Sequence, residues 1–515
     1  MGNLNFSNLM KFYFSLFIFL FVYISIDNHN HFIYSKKIEV IHKNDKTNEQ
    51  LVDKDGTGLT ATYQLLKILN DKPHDELQLA CEAMQNSLFS PLKCVNHTLR
   101  AERESSGQLR VGQRLRKTIN TKRSGPVGVL GGALKPIILV PGIAGSGLEA
   151  KLNKTKVPAF YCTKNQDWFR IWLSLPELLV QKCWFDNLAV DFDATTGKFS
   201  NTPGVEIREI DFGGILGVGY LDYKFSFPIG ITNVYGEMVE FFEDLGYEVG
   251  KNIRGAPFDW RLSIQELEKR GWFDKFKSLV ESTYEMNKQQ KVVLVAHSMG
   301  GLLSLYFLDK IATDQWKAKY IDSFIPIAVP WSGSPKALRT VLSGDNFGIG
   351  VINKDYLKKF AQESGGVIQL IPDPIIWSKD KVFITAKNTN YTLGQTTNLF
   401  NDLGLKDTTL IYNSISSVTS EMKPGVNTHC IYGYGIKTEI YYDYNDGFDE
   451  QPKIYETDLG DGTVPLESLQ FCNQWKNDPE HVGIIQVKEF DLLQHRDIIA
   501  DSEVFEYIFQ YIINR

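Results

Sequence analysis

Cysteine and histidine are scarce in this chain, six and nine among 515 residues. No cysteine stands in a CxxC pair, and no His/Cys cluster has metal-ligand spacing, so neither a metal nor a cofactor is expected. Charge of one sign is also lacking. The formal net charge is -6, no nucleic-acid motif occurs, and no nucleic-acid partner is expected. No internal repeat is visible. What is present is apolar residue, 43% of the chain, and aromatic residue, 12%, which fit a large globular core. The length exceeds one ordinary domain and allows an enlarged α/β domain with insertions.

The N-terminus is not part of that core. Lys11 precedes an almost unbroken apolar run of 15 residues, Phe12 to Ile26, closed by Asp27. This is short for a membrane span and fits a signal peptide over 1–26. No clean small-residue cleavage site follows, which keeps a signal anchor as the alternative. Met1-Gly2 would suit myristoylation, but Phe6 stands where Ser or Thr is wanted. Residues 27–130 read as an extension: a polar tail, a helical stretch over 60–86, and a basic segment from Arg100 to Arg123. That segment is either a solvated linker or a protease-sensitive joint between a pro-segment and a mature enzyme. An exported chain suggests disulfides, and the cysteines form three couples: Cys81/Cys94, Cys162/Cys183 and Cys430/Cys472. Six cysteines allow many connectivities, so spacing alone proves none.

From Pro136 strands alternate with helices, which predicts a mainly parallel sheet covered on both faces. Ile137-Ile138-Leu139-Val140 is a buried-type strand ending at Pro141-Gly142. A helix is predicted over Tyr235–Phe242, and strands over Lys291–Val295 and Phe324–Val329. After the strand Lys291–Val295 comes Ala296-His297-Ser298-Met299-Gly300, then an apolar helix. Strand, sharp turn and helix with serine at the turn is the nucleophile-elbow pattern, here with Ala296 where Gly is usual.

A serine hydroxyl needs a base, and the base an orienting acid, in the chain order Ser, Asp, His. The histidines after Ser298 are His429, His481 and His495. His429 opens an apolar strand and His481 reads as a surface residue. His495 lies in a polar turn before an apolar C-terminal helix and is the predicted base. The predicted acid is Asp461, flanked by glycines in Gly460-Asp461-Gly462-Thr463-Val464; a plain Asp-Gly turn is the bland alternative. Oxyanion donors are expected from the N–H of Met299 and, in the loop Pro141–Gly147, from Ala144. A phosphate loop is the rival there, but the Lys-Ser/Thr ending is missing.

Together with Leu148-Glu149-Ala150-Lys151-Leu152, Ala256-Pro257-Phe258-Asp259-Trp260-Arg261, Pro330-Trp331-Ser332-Gly333-Ser334 and Ser343-Gly344-Asp345-Asn346, these blocks resemble the lecithin:cholesterol acyltransferase family. The resemblance runs from about Pro136 to His495 and is absent from the first 130 residues. It implies an α/β-hydrolase fold over 131–515 with a membrane-binding subdomain over 155–190 and a lid over 343–363. It also implies the triad Ser298, Asp461 and His495, disulfides Cys162–Cys183 and Cys430–Cys472, and lipid-interface tryptophans Trp168, Trp172 and Trp184. Family members are phospholipases and O-acyltransferases. The expected function is a phospholipase acting on glycerophospholipids, with a sterol or other alcohol O-acyltransferase as the alternative. The expected partners are a phospholipid membrane or lipoprotein-like surface, a lipid substrate and, in the alternative, a sterol acceptor. Trp168–Leu173 on its own fits an interfacial segment or a core helix equally well. A catalytically silent lipid-binding or membrane-disrupting protein is the reading from another class. The triad residues are all present, which argues against it.

Overall fold

Two apolar tetra- to hexapeptides, Ile137–Val140 (β1) and Val292–His297 (β3), are buried at every position. Strands buried on both faces belong in a parallel sheet with covered faces, and this is where they lie. The computed structural model describes residues 134–515 apart from 175–176, 178–179, 222–231, 346–351, 375–376, 388, 416–420, 458, 479–480 and 511–515. Those residues, Ile352 aside, fall in one compact unit. The signal segment, the N-terminal extension, the basic linker, Cys81 and Cys94 lie outside the described residues. Among the described residues no helix is long and apolar enough to cross a membrane.

With Ile253–Gly255 (β2), Ile321–Ile327 (β4), Thr428–Tyr434 (β5) and Ile485–Asp491 (β6), the central sheet has the order β6-β5-β4-β3-β1-β2. Every neighbouring pair is parallel. All six strands therefore end at one edge, and the loops beyond that edge are where an open α/β sheet presents its chemistry. Helices Gly236–Asp244 (α1), Trp272–Met286 (α2) and Met299–Tyr306 (α3) make crossovers. Trp272, Phe273 and Phe276 of α2 pack on one another and on Phe307, just past α3, at ring separations of 4.9–6.4 Å.

The segment Trp168–Leu173 corrects the sequence reading. It is not a helix. Asn165–Trp172 is a strand in a three-stranded antiparallel sheet with Leu148–Asn153 and Val205–Glu209. The helix Gln181–Leu188 follows, tied back by a Cys162–Cys183 disulfide with Cα atoms 5.4 Å apart.

The Cys430–Cys472 bridge is a second correction. Both are buried free thiols. Cys430 sits in β5 and its thiol hydrogen-bonds Cys472. Burial, with the adjoining Cys472 sulfur, pushes the Cys430 thiol well above its ordinary value and holds it in the unreactive protonated form. Of the span 343–363, Ser343 and Asp345 are buried, Asp345 on the guanidinium of Arg339, and Lys354–Glu363 is helix.

Candidate active site

The turn after β3 builds the site from small residues. Ser298 has φ 52° and ψ -126°, a backbone conformation that side chains rarely adopt. Its N–H donates to the Ile327 carbonyl of β4 at 2.9 Å, which pins the turn to the sheet edge. A Cβ on Gly300 would come within 2.3 Å of the Pro141 carbonyl oxygen, and one on Gly142 within 2.8 Å of Ser298 Cβ. The turn can thus pass beside the Pro141–Gly147 loop only because both positions are glycine. At position 296 a methyl group fits, fully buried in the strand.

Three of the predicted residues meet here from three loops. His495 Nε2 lies 3.1 Å from Ser298 Oγ, and His495 Nδ1 lies 2.7 Å from Asp461 Oδ2. A carboxylate only accepts, so Nδ1 carries the proton and Nε2 is left to accept from the serine hydroxyl. The second carboxylate oxygen, Oδ1, accepts from the N–H groups of Thr463 at 3.0 Å and Val464 at 2.7 Å. Gly462 N–H donates to Thr438 Oγ1, which holds that turn on the neighbouring strand. The His495 N–H donates to the Asp461 carbonyl at 2.9 Å. Ser298, Asp461 and His495 are 4%, 1% and 8% exposed, so these hydrogen bonds are withdrawn from bulk water. Chemically, such a relay can move a proton from a hydroxyl to an imidazole and back to a leaving group.

Met299 opens α3, where its N–H has no intrahelical acceptor. Ala144 has φ 58° in a turn closed by Gly145 N–H on Gly142 O at 3.0 Å. The other two histidines lie at the opposite sheet edge, His429 at the start of β5 and His481 before β6. His481 is half-buried, with both ring nitrogens out of solvent, rather than a surface residue.

The tryptophans are placed differently from expectation. Trp184 is fully buried and Trp172 nearly so, their rings stacked at 5.7 Å. Trp184 Nε1 donates to the Ile171 carbonyl. Trp172 Nε1 donates to the Ala144 carbonyl at 2.7 Å, so this indole grips the loop beside Ser298. Trp168 is half-buried under the Arg208 guanidinium, 4.0 Å from its ring centre. The exposed aromatics of the 155–190 segment are Phe160, 86% exposed, and Tyr161. Sequence reasoning missed the loop-gripping role of Trp172 because an aromatic-rich run carries no sign of which way each indole N–H points. It also missed Tyr235, whose buried hydroxyl donates to the Val140 carbonyl at 3.0 Å, just before the loop.

The family model for lecithin:cholesterol acyltransferase matches residues 168–419 and 410–502. A lysosomal phospholipase A and acyltransferase of Bos taurus is 37% identical over 381 residues, 73% of this chain and 91% of the relative. The Homo sapiens protein of that name is 35% identical over 377 residues, 72% and 89% of the two chains. A phosphatidylcholine-sterol acyltransferase of Gallus gallus is 34% identical over 372 residues, 71% and 87%. Spread over nearly the whole length of these relatives, likeness at this level places the chain in the lecithin:cholesterol acyltransferase family.

Proposed function

We propose that this protein is a serine phospholipase that hydrolyses acyl esters of glycerophospholipids such as phosphatidylcholine. The observation that carries the reading is the unbroken relay from Ser298 Oγ through His495 to Asp461. His495 Nε2 takes the proton as Ser298 Oγ attacks the ester carbonyl. Asp461 holds the ring in the tautomer this needs and stabilises the imidazolium. The N–H groups of Met299 and Ala144 stabilise the oxyanion. His495 then protonates the departing lysophospholipid oxygen, leaving the acyl chain on Ser298. A water deprotonated by His495 releases the fatty acid and restores the serine.

Transfer of the acyl chain to a sterol or other alcohol is the second reading, favoured by the likeness to the Gallus gallus sterol acyltransferase. It needs the same three residues, with an alcohol in the place of water. Contact with the lipid surface is assigned to Phe160 and Tyr161, which stand out of the subdomain beside the disulfide. The apolar run Phe12–Ile26 and that disulfide support a place in the secretory pathway, in a vesicle lumen or outside the cell.

The test follows an acyl label. Acyl-labelled phosphatidylcholine vesicles, with and without cholesterol, are incubated with the protein and with Ser298→Ala. Free fatty acid from both mixtures, lost in the variant by roughly 10⁴-fold or more, is the expected result. Label in sterol ester establishes the second reading. Release that survives in Ser298→Ala overturns the triad.

A further inference from the structure

His297 lies between the last apolar residue of β3 and Ser298, and the catalytic relay makes no use of it. It is 6% exposed. Its Nε2 lies 2.9 Å from the backbone carbonyl of His495, 198 residues further along the chain. A carbonyl only accepts, so Nε2 carries the proton and the ring is the neutral Nε2–H tautomer. The two imidazole rings stand 4.9 Å apart at 47°.

The consequence is a second hold on the base. Asp461 fixes the His495 side chain through Nδ1 and takes its N–H through a carbonyl. His297 takes the remaining backbone group, the His495 C=O. In the loop leading to His495, Leu493 is buried and its backbone lies against Gly433 of β5. Leu492 and Gln494 are exposed, and Leu492 has φ 52°. Among the hydrogen bonds that hold this loop, the one from His297 starts next to Ser298. The bond therefore links the strand end that places Ser298 to the loop that places its base. Ser298 Oγ and His495 Nε2, 3.1 Å apart, sit on the two segments so joined. Space around His297 is tight, since a Cβ on Gly142 would approach its Nδ1 to 3.1 Å. Burial, and next the neighbouring His495, push the His297 imidazole well below its usual range, so no second positive charge opposes a protonated His495.

We infer that His297 is a positioning residue, setting the height of the general base over the nucleophile by its hydrogen bond to the His495 carbonyl. The inference rests on the triad reading.

Three variants test it on phosphatidylcholine vesicles: His297→Leu, His297→Gln and His297→Asn. The Gln amide nitrogen reaches the place of Nε2, whereas the Asn amide stops at the place of Nδ1. His297→Leu and His297→Asn are expected to lower kcat by roughly 10- to 100-fold, the cost of a misplaced base, with half-saturating lipid unchanged. His297→Gln is expected to recover to within about threefold of the parent. The rate of labelling by a fluorophosphonate should follow the same order, and thermal midpoints report folding. If the Leu variant does not fold, the Gln–Asn contrast decides alone. Parent-like kcat in His297→Asn, or Gln no better than Asn in folded protein, overturns the inference. Ser298→Ala run alongside separates the two claims: turnover persisting there overturns the triad itself.

Discussion

At the Ser298 turn, Gly142 and Gly300 hold the Pro141–Gly147 loop against Ser298 by lacking side chains. In the antiparallel subdomain, Trp172 holds the same loop by having one, its indole N–H on the Ala144 carbonyl. The first kind of contact is steric and unforgiving, because backbone atoms occupy the space a methyl group would need. The second is a directional bond with a stacked aromatic behind it. Losing a close approach should damage fold and chemistry together, whereas losing a directional bond should damage chemistry alone.

The largest break should come from Gly300→Ala. Its methyl group would meet the Pro141 carbonyl at 2.3 Å and the Val140 carbonyl at 2.6 Å. We expect a loss of about 3 kcal/mol in a urea melt, together with loss of fluorophosphonate labelling. Normal labelling in a stable Gly300→Ala protein would contradict the steric account.

Opening the subdomain comes next. The Cys162–Cys183 bridge closes a loop of sequence separation 21, so a double Cys→Ala variant should cost about 3 kcal/mol. The pair Cys430 and Cys472 forms no bridge, and its double Ala variant should lose only about 1 kcal/mol. Equal losses would show that the second pair carries a constraint of its own.

Trp172→Phe sharpens the contrast. It keeps an aromatic ring and deletes the donor to Ala144 O. We expect kcat to fall about tenfold with a small change in thermal midpoint. Trp184→Phe removes a donor aimed at Ile171 O instead, so it should leave kcat near the parent value. Equal kcat losses in the two variants would remove the distinction between gripping the loop and filling the core.

The smallest effect is on pH. Burial keeps His297 neutral in the fold, its imidazole well below the usual 6.5. Below that pH the unfolded chain binds a proton that the folded chain refuses. Stability from this group is therefore whole above about pH 6.5 and is lost as the pH falls. His297→Gln should flatten that slope in melts compared at pH 7 and pH 5. An unchanged slope would assign the acid loss to other groups.

Legibility differed along the same division. The elbow was readable because its steric demands act between near neighbours in the chain, so small residues recur at fixed spacing around Ser298. The placement of Asp461 and His495 beside Ser298 was readable from turn chemistry and chain order. The tryptophans misled, because an aromatic-rich run looks alike in a core and at a lipid surface. Phe160 stands out and Trp184 does not, a difference set by the disulfide-tied helix packing one ring inward. Cys430 and Cys472 misled for a similar reason. Proximity of two cysteines follows from the fold, but their bonding depends on sulfur geometry that no spacing encodes.

The apolar runs, the glycine punctuation and the order of serine, aspartate and histidine were determined by the sequence alone, because each is a local requirement of backbone sterics or hydrogen-bond capacity. Only the tertiary structure decided that His297 meets a carbonyl 198 residues away and that Trp172 turns toward Ala144. Both contacts join segments brought together by the fold: the end of β3 with the loop after β6, and the loop after β1 with the antiparallel subdomain.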